Sequence, residues 1–408
     1  MKRGQLAVLG ATVMAVVALG WYWAGSDANA HGSGSSGADP TATLSLASST
    51  GGGGAGGGPS AAGSGPLSPA GVQARQEKLA LWRSRAERSE QLYASYRDST
   101  RYPPDSHPIA EHPDQVRPFQ PIVEENTLRR TDGSPAKGFR LRTSQERVFL
   151  SGAETVQFSI EAVDDRGASL PLIVTSASAQ SVPDTRTPVR LIQTNVLFTD
   201  DGTGADPTAG DGQYSARINP AKQGFEAYAG TIRLLAQVNV KGEQGVVQFD
   251  VIYTPGAPAT WAGVREALEN GALNFYLKAN VAMAGRYVVS ARVDDANGVP
   301  FALLQFNDEV AAGEREFKLT LFGALVRDKA PVFPLHLRDV DGFLLIPDKF
   351  PDRFTMARQI GVIHTTRRYA LDTFSPEEWT SEERSRYLSE YGKDADTARA
   401  EVARLEAQ

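Results

Sequence analysis

The 408-residue chain contains no cysteine, which excludes disulfide frameworks, thiolate zinc sites and a cysteine nucleophile. Its stability must come from packing, which domains of ordinary size supply unaided. It has no dense Lys/Arg run and a formal charge of −6. Nucleic acid is therefore not an expected partner, because phosphate binding leans on clustered cations. Histidine is scarce, at five residues. No G-x-S-x-G elbow, H-E-x-x-H pair or P-loop occurs, so no catalytic constellation can be read and the chain is expected not to be an enzyme.

Charge is also absent between Arg3 and Asp27, and that gap is informative. Residues 6–24 are apolar throughout, and about 20 such residues at 1.5 Å rise match a hydrocarbon core of about 30 Å. Lys2 and Arg3 within the tip at 1–5 would stay cytoplasmic, and the bulk of the chain would lie outside. Trp21, Tyr22 and Trp23 stand where an aromatic belt marks the outer interface. The expected location is the inner (cytoplasmic) membrane of a bacterial cell, single-pass, with a periplasmic or otherwise extracytoplasmic body. The alternative is a secretory signal cleaved after Ala28-Asn29-Ala30, releasing the protein.

From residue 31 to 70 the composition collapses to Gly, Ser, Ala, Thr and Pro, with nothing to bury. This is a disordered linker by composition, with an r.m.s. span of about 35 Å. Gly32 to Gly37 matches the dinucleotide fingerprint only as a pattern, since no strand precedes it and no helix follows.

Within 71–137, Leu79, Trp82, Ala86, Leu92, Tyr93 and Tyr96 recur at three- and four-residue steps, predicting one amphipathic helix from Val72 to Tyr96. Pro103, Pro104, Pro108, Pro113, Pro118 and Pro121 then forbid helix and favour an extended strap along a folded domain. His107 and His112 fall in the strap. Without helical geometry or a third ligand they read as surface or packing histidines.

The middle of the chain is β-prone, and the fold class is mainly β. Runs at 154–163, 188–198, 212–218, 230–240 and 245–253 alternate apolar with polar residues between Gly, Pro, Asp and Asn. This predicts an antiparallel Ig-like β-sandwich over 138–255. After a linker at 255–260 and a short helix from Ala262 to Leu268, runs at 272–282, 285–293, 302–306, 314–321 and 332–340 predict a second sandwich in tandem over 261–373. In the tail, 374–408, Ser375-Pro376-Glu377-Glu378 forms a capping box, predicting a helix from Pro376 to Tyr391 that stops at Gly392. A second, alanine-rich helix from Ala395 to Ala407 has so thin an apolar stripe that it is either frayed or in need of a partner.

The strongest chemical signal is the segment from Asp200 to Tyr214, which sets four carboxylates and four glycines between two strands. Calcium takes 6–8 hard oxygens, and glycines let backbone carbonyls turn inward beside carboxylates. Asp200, Asp201, Asp206 and Asp211 are the candidate ligands of a structural Ca2+ ion. A solvated acidic turn explains the same residues, because Asp and Gly are also common turn formers, and the spacing is not that of an EF-hand.

The same segment carries a resemblance. Asp-Asp-Gly-x-x-Gly-Asp-x-x-Ala-Gly-Asp-Gly-x-Tyr, departed from only at Ala205, is similar to a pattern in bacterial exported Ig-like proteins of the choice-of-anchor X type. Ala284 to Tyr287, Asp294 to Pro300 and Gly313 to Gly323 resemble the strand-turn-strand pattern that follows in those proteins. The resemblance covers roughly 140–345 and implies exported surface or periplasmic modules without an established activity. It transfers no catalytic residue.

The expected function is thus a membrane-tethered binding or scaffold protein of the envelope that engages a protein or glycan partner. The alternative is a polysaccharide-active or other hydrolytic envelope enzyme. A glycan-binding face would gather exposed aromatic rings, Trp261 and Trp379 being candidates, whereas an enzyme would show a deep pocket of converging titratable groups.

Overall fold

The computed structural model describes residues 68–130, 134–183 and 191–407. The expected membrane segment, the cleavage site at Ala30 and the linker as far as residue 67 lie outside them. Among the described residues no helix is long and apolar enough to cross a membrane.

The first element is the helix Pro69–Ser99, started by the Ser68 hydroxyl, which accepts from the Gly71 amide at 3.3 Å, and by proline in the first turn. It spans the expected 72–96 and three residues more at each end. The tail differs from expectation: one continuous helix, Glu382–Glu406, replaces the two anticipated. Its cap is Ser381, whose hydroxyl accepts from the Arg384 amide at 3.0 Å. The Ser375 motif is satisfied locally, with the Glu377 amide donating to its hydroxyl, but the Ser375 amide is held by the Gly271 carbonyl and no helix follows. Gly392 does not break the helix. A mid-helix glycine costs about 1 kcal/mol relative to alanine, and here it lies where the Tyr93 ring packs.

The partner that the tail needs is the first helix. The two run antiparallel, with the Arg75 guanidinium donating to the Leu405 carbonyl at 2.6 and 3.0 Å and Arg399 paired with Glu90. At the other end Tyr96 meets Tyr387 and Tyr391 edge-on, and the buried Arg384 donates to the Thr100 hydroxyl, the Arg97 carbonyl and Glu378. Small residues at the contact, Ala86, Ala395 and Ala398, let the helices approach closely.

The chain is mainly β between these helices, in several antiparallel sheets. Two sheets enclose the first core. One orders Ile122–Asn126, Arg140–Gln145 and Val156–Val163, with Ser169–Leu170 and Gln213–Ile218 sharing the far side of the last. The other orders Phe149–Ser151, Glu243–Thr254, Gly230–Val240, Leu172–Ser181 and Gln193–Asn195. Alternate residues of both turn inward, so Phe158 of one meets Phe249 of the other with ring centroids 4.9 Å apart.

A second pair of sheets encloses a second core. Ala259–Glu269, Ala272–Val281 and Gly313–Leu321 form one, and Ser106–Pro108, Pro300–Val310, Gly285–Asp294, His336–Leu345 and Arg353–Thr355 form the other, with Gln359–Thr365 also on His336–Leu345. Phe317 is the hub of this core, packed against Trp261, Tyr287 and Phe306.

The expected helix from Ala262 to Leu268 is a strand, the middle of Ala259–Glu269. Trp261, Val264 and Leu268 mimic helical spacing, but Asn270 and Gly271 both take positive φ (50° and 72°), the turn that closes a two-residue hairpin onto Ala272–Val281. A bulge at Gly263 absorbs the phase error.

The proline-rich strap does not merely lie along a domain. Its Ser106–Pro108 segment adds an edge strand to the second pair of sheets, two 3-10 turns follow at Ile109–Glu111 and Pro113–Val116, and Ile122–Asn126 adds an edge strand to the first. Proline suits this placement, because an edge strand leaves one row of amides unpaired. Side chains outside the two cores bridge the pairs of sheets. Arg353 lies over Phe149 at 4.9 Å and over Phe343 at 5.1 Å, and Arg358 packs over Phe119 of the strap at 4.9 Å. Burial pushes the Asp341 carboxyl up and the Arg358 guanidinium down in this junction, each drawn back by the other's charge.

Candidate functional site

The acidic loop connects Gln193–Asn195 to Gln213–Ile218, and the chain changes sheets on the way. Gln193–Asn195 pairs with Leu172–Ser181, whereas Thr199 bridges to Ser215 on the opposite sheet. Leu191 and Leu197, on either side of the short strand, are 57% and 78% exposed. The loop therefore begins directly after the edge strand of one sheet and ends in a strand of the other.

Of the four candidate ligands, three converge. Asp200, Asp206 and Asp211 each place a carboxylate oxygen within 4.8 Å of the others. Asp201 stands outside this group. Its carboxylate accepts from the Thr203 amide at 3.0 Å and hydroxyl at 2.8 Å, and these hydrogen bonds hold its pKa below the usual carboxylate range. Glycine makes the approach feasible. Gly202, Gly204, Gly210 and Gly212 all have positive φ, and a Cβ at Gly212 would fall 2.6 Å from the Ser169 hydroxyl.

The backbone already engages these carboxylates. Asp200 accepts from the amides of Gly210, Asp211 and Gly212 at 2.8, 3.2 and 3.1 Å. Asp206, 3% exposed, accepts from Gly202 at 2.7 Å and Thr208 at 3.4 Å. Gln157 reaches across from the neighbouring strand to the Ala205 carbonyl at 2.7 Å, which pins the loop to the sheet. Among the described residues, none of the four aspartates has a Lys or Arg within ion-pair distance. The loop thus holds three carboxylates of like sign together on amide dipoles, an arrangement that a divalent cation would complement.

Other polar and aromatic residues are engaged within the fold. Asp339 and Asp341 both lie in His336–Leu345, where Asp339 takes φ 52° at an irregular register, pairs with Arg292 at 3.0 Å and accepts from the Gly361 amide. His336 bonds the Thr365 hydroxyl at 3.1 Å, and His364 bonds Glu266 at 2.9 Å. The aromatic candidates are engaged in packing. The Trp261 indole N–H donates to the Ala357 carbonyl at 2.8 Å, and Trp379 is half-buried where its amide donates to the Arg101 carbonyl. A groove of about 450 Å³ runs between the two long helices, lined by residues such as Glu90, Tyr93, Leu388, Gly392 and Arg399. In the strap, Glu111 joins His107 and His112 in a group whose ligating atoms also lie within 4.8 Å of one another. Sequence reasoning missed Glu111; its position four residues after His107 was the available signal.

No family model and no curated protein matches the chain. Among solved structures, a DUF4785 family protein from Legionella pneumophila is similar over 56% of this chain and 57% of its own length, at 13% identity and a TM-score of 0.36. A DUF3823 family protein from Parabacteroides merdae is similar over 49% of this chain and 90% of its own, at 15% identity and a TM-score of 0.17. The chain thus spans just over half the length of the first of these relatives.

Proposed function

We propose that this protein is a membrane-tethered, extracytoplasmic binding or scaffold protein of the bacterial cell envelope, with two tandem Ig-like sandwiches like those of choice-of-anchor X proteins. Its binding surface is the edge of the first sandwich, and its partner is an envelope protein in preference to a glycan. The observation that carries this reading is the juxtaposition of a three-residue edge strand, Gln193–Asn195, with the exposed Leu191 and Leu197. An edge strand offers unpaired amides and carbonyls to an added strand, and flanking apolar side chains supply the contact area. A glycan would call for exposed rings, and Trp261 is committed to the core.

A photoreactive residue at position 197, in the full chain expressed in its own cells, should give a discrete adduct with one envelope protein. The same residue at Val362, also exposed but on the second sandwich, should not. No adduct at 197, or identical adducts at both positions, refutes the assignment.

Within this reading Asp200, Asp206 and Asp211 hold a structural Ca2+ ion that stiffens the loop beside the edge strand. Saturating calcium should raise the melting temperature of the full chain by roughly 5 °C, since ligand at 100 times its dissociation constant adds about 2.7 kcal/mol. The Asp206→Asn, Asp211→Asn double variant should lose that rise, and Asp201→Asn should keep it. A calcium response unchanged in the double variant removes the ligand assignment.

A further inference from the structure

We infer that the strap carries a second, chemically distinct metal site, in which His107, Glu111 and His112 bind a zinc ion with solvent in the fourth position. This goes beyond the proposed binding role and involves none of its residues.

The fold brings the three together through the 3-10 turn Ile109–Glu111, which reverses the chain between the two histidines. Their ligating atoms lie within 4.8 Å of one another. A tetrahedral zinc ion with bonds of about 2.0–2.2 Å needs its ligand atoms about 3.3–3.5 Å apart. The Glu111 carboxylate, on a half-exposed side chain, already stands 3.6 Å from His107 Nδ1. The rings themselves are well placed. Two imidazoles on one tetrahedral zinc have centroids about 5 Å apart, and those of His107 and His112 are 5.5 Å apart at an interplanar angle of 75°.

The backbone under the ligands is fixed on both sides. His107 sits in a strand paired with Pro300–Val310, next to the buried Ser106, whose hydroxyl accepts from the Phe322 amide at 3.0 Å. Ile109 is buried beneath the turn, the His112 amide donates to the Ile109 carbonyl at 2.9 Å, and the Gln115 amide donates to the His112 carbonyl at 2.9 Å. Such preorganisation spares a metal site the cost of ordering its ligands.

Ligand chemistry selects the ion. Two imidazoles with one carboxylate suit zinc and its neighbours, whereas calcium takes oxygen donors, so this site and the acidic loop should not compete for one metal. Three protein ligands with an open position also distinguish it from a closed structural zinc site.

The test uses the full chain without an added histidine tag, stripped with chelator and titrated with zinc alone. One equivalent should bind, and His112→Gln or Glu111→Gln should weaken binding by about 100-fold. The Asp206→Asn, Asp211→Asn variant should bind zinc like the wild type. Cobalt in place of zinc should give visible absorption bands of a low-coordinate nitrogen-ligated ion, lost in the same two variants. Glu111→Gln changes an exposed side chain, so it remains decisive even if His112→Gln fails to fold. No zinc bound by the wild type, or binding insensitive to Glu111→Gln, overturns the site.

Discussion

Replacing Phe317 by Ala should destabilise the protein by ~3–5 kcal/mol, the range for truncating a buried aromatic ring. Phe317 is fully buried, and Trp261, Tyr287 and Phe306 surround it at centroid distances of 5.6, 5.4 and 5.3 Å. Deletion of the ring leaves three large, rigid neighbours that cannot collapse into the space without leaving their own sites. Tyr287 is held by its hydroxyl, which donates to the Pro258 and Met283 carbonyls at 3.0 and 2.7 Å. Trp261 is held by the Ala357 carbonyl. The hole therefore persists, and the cost should sit in the upper part of the range. Phe317→Leu should cost about half as much, because most of the volume is retained. Chemical denaturation followed by tryptophan fluorescence reads both; a loss below about 1 kcal/mol for the alanine variant would mean that this cluster is not the centre of the core.

Gly323→Ala should cost about 3 kcal/mol for a different reason, overpacking against backbone. A Cβ on Gly323 would run into the Gly271 carbonyl oxygen and lie 2.8 Å from both the amide and the carbonyl oxygen of Ser375. None of these atoms can rotate aside as a side chain would. Gly271 is in the same position, with φ 72° and the Ser375 amide nitrogen 2.7 Å from where its own Cβ would stand. Three chain segments thus meet with only hydrogens between them: the hairpin turn after Ala259–Glu269, the start of the helix Gly323–Lys329, and the entry to the tail. Gly256→Ala is the matched control, since nothing lies within 4 Å of its Cβ and its φ is ordinary. It should be neutral or stabilising by about 0.4–1 kcal/mol through loss of unfolded-state freedom. Thermal melts of the two variants that coincide would refute the close approach at Gly323.

The strands that sequence located to within a residue or two, such as Gly230–Val240, Gly285–Asp294 and Gly313–Leu321, alternate cleanly because one face is buried and one is wet. Leu172–Ser181 escaped notice because its centre is Ser and Ala, with little β preference of its own. It is a strand because Gly230–Val240 pairs along it. The stretch from Ala262 to Leu268 shows the converse, a local pattern overruled by the hairpin turn at Asn270 and Gly271. The capping-box residues at Ser375 form their local hydrogen bond without a helix, since the backbone amide that would enter the first turn is held by Gly271. In the acidic loop, composition revealed the carboxylates but not which would converge. Asp201 is turned away by its own short-range bonds to Thr203, a geometry that spacing does not encode. Glu111 was hidden because its meeting with the histidines depends on a 3-10 turn inside a proline-broken segment.

The antiparallel pairing of the two long helices has a mechanical consequence. Residue 68 begins the first helix beside Leu405, at the end of the pair remote from Thr100, where the chain enters the body of the fold. A pull arriving through residue 68 and resisted by the body at Thr100 would run along the helix axes and load the pair in shear, with the contacts of Arg75 to Leu405, Arg399 to Glu90 and Arg384 to Thr100 sharing the force. The 31 residues of the first helix span about 46 Å when coiled and about 105 Å when drawn out. Only when those contacts gave way together would the helix lengthen, by some 60 Å, with both β cores intact.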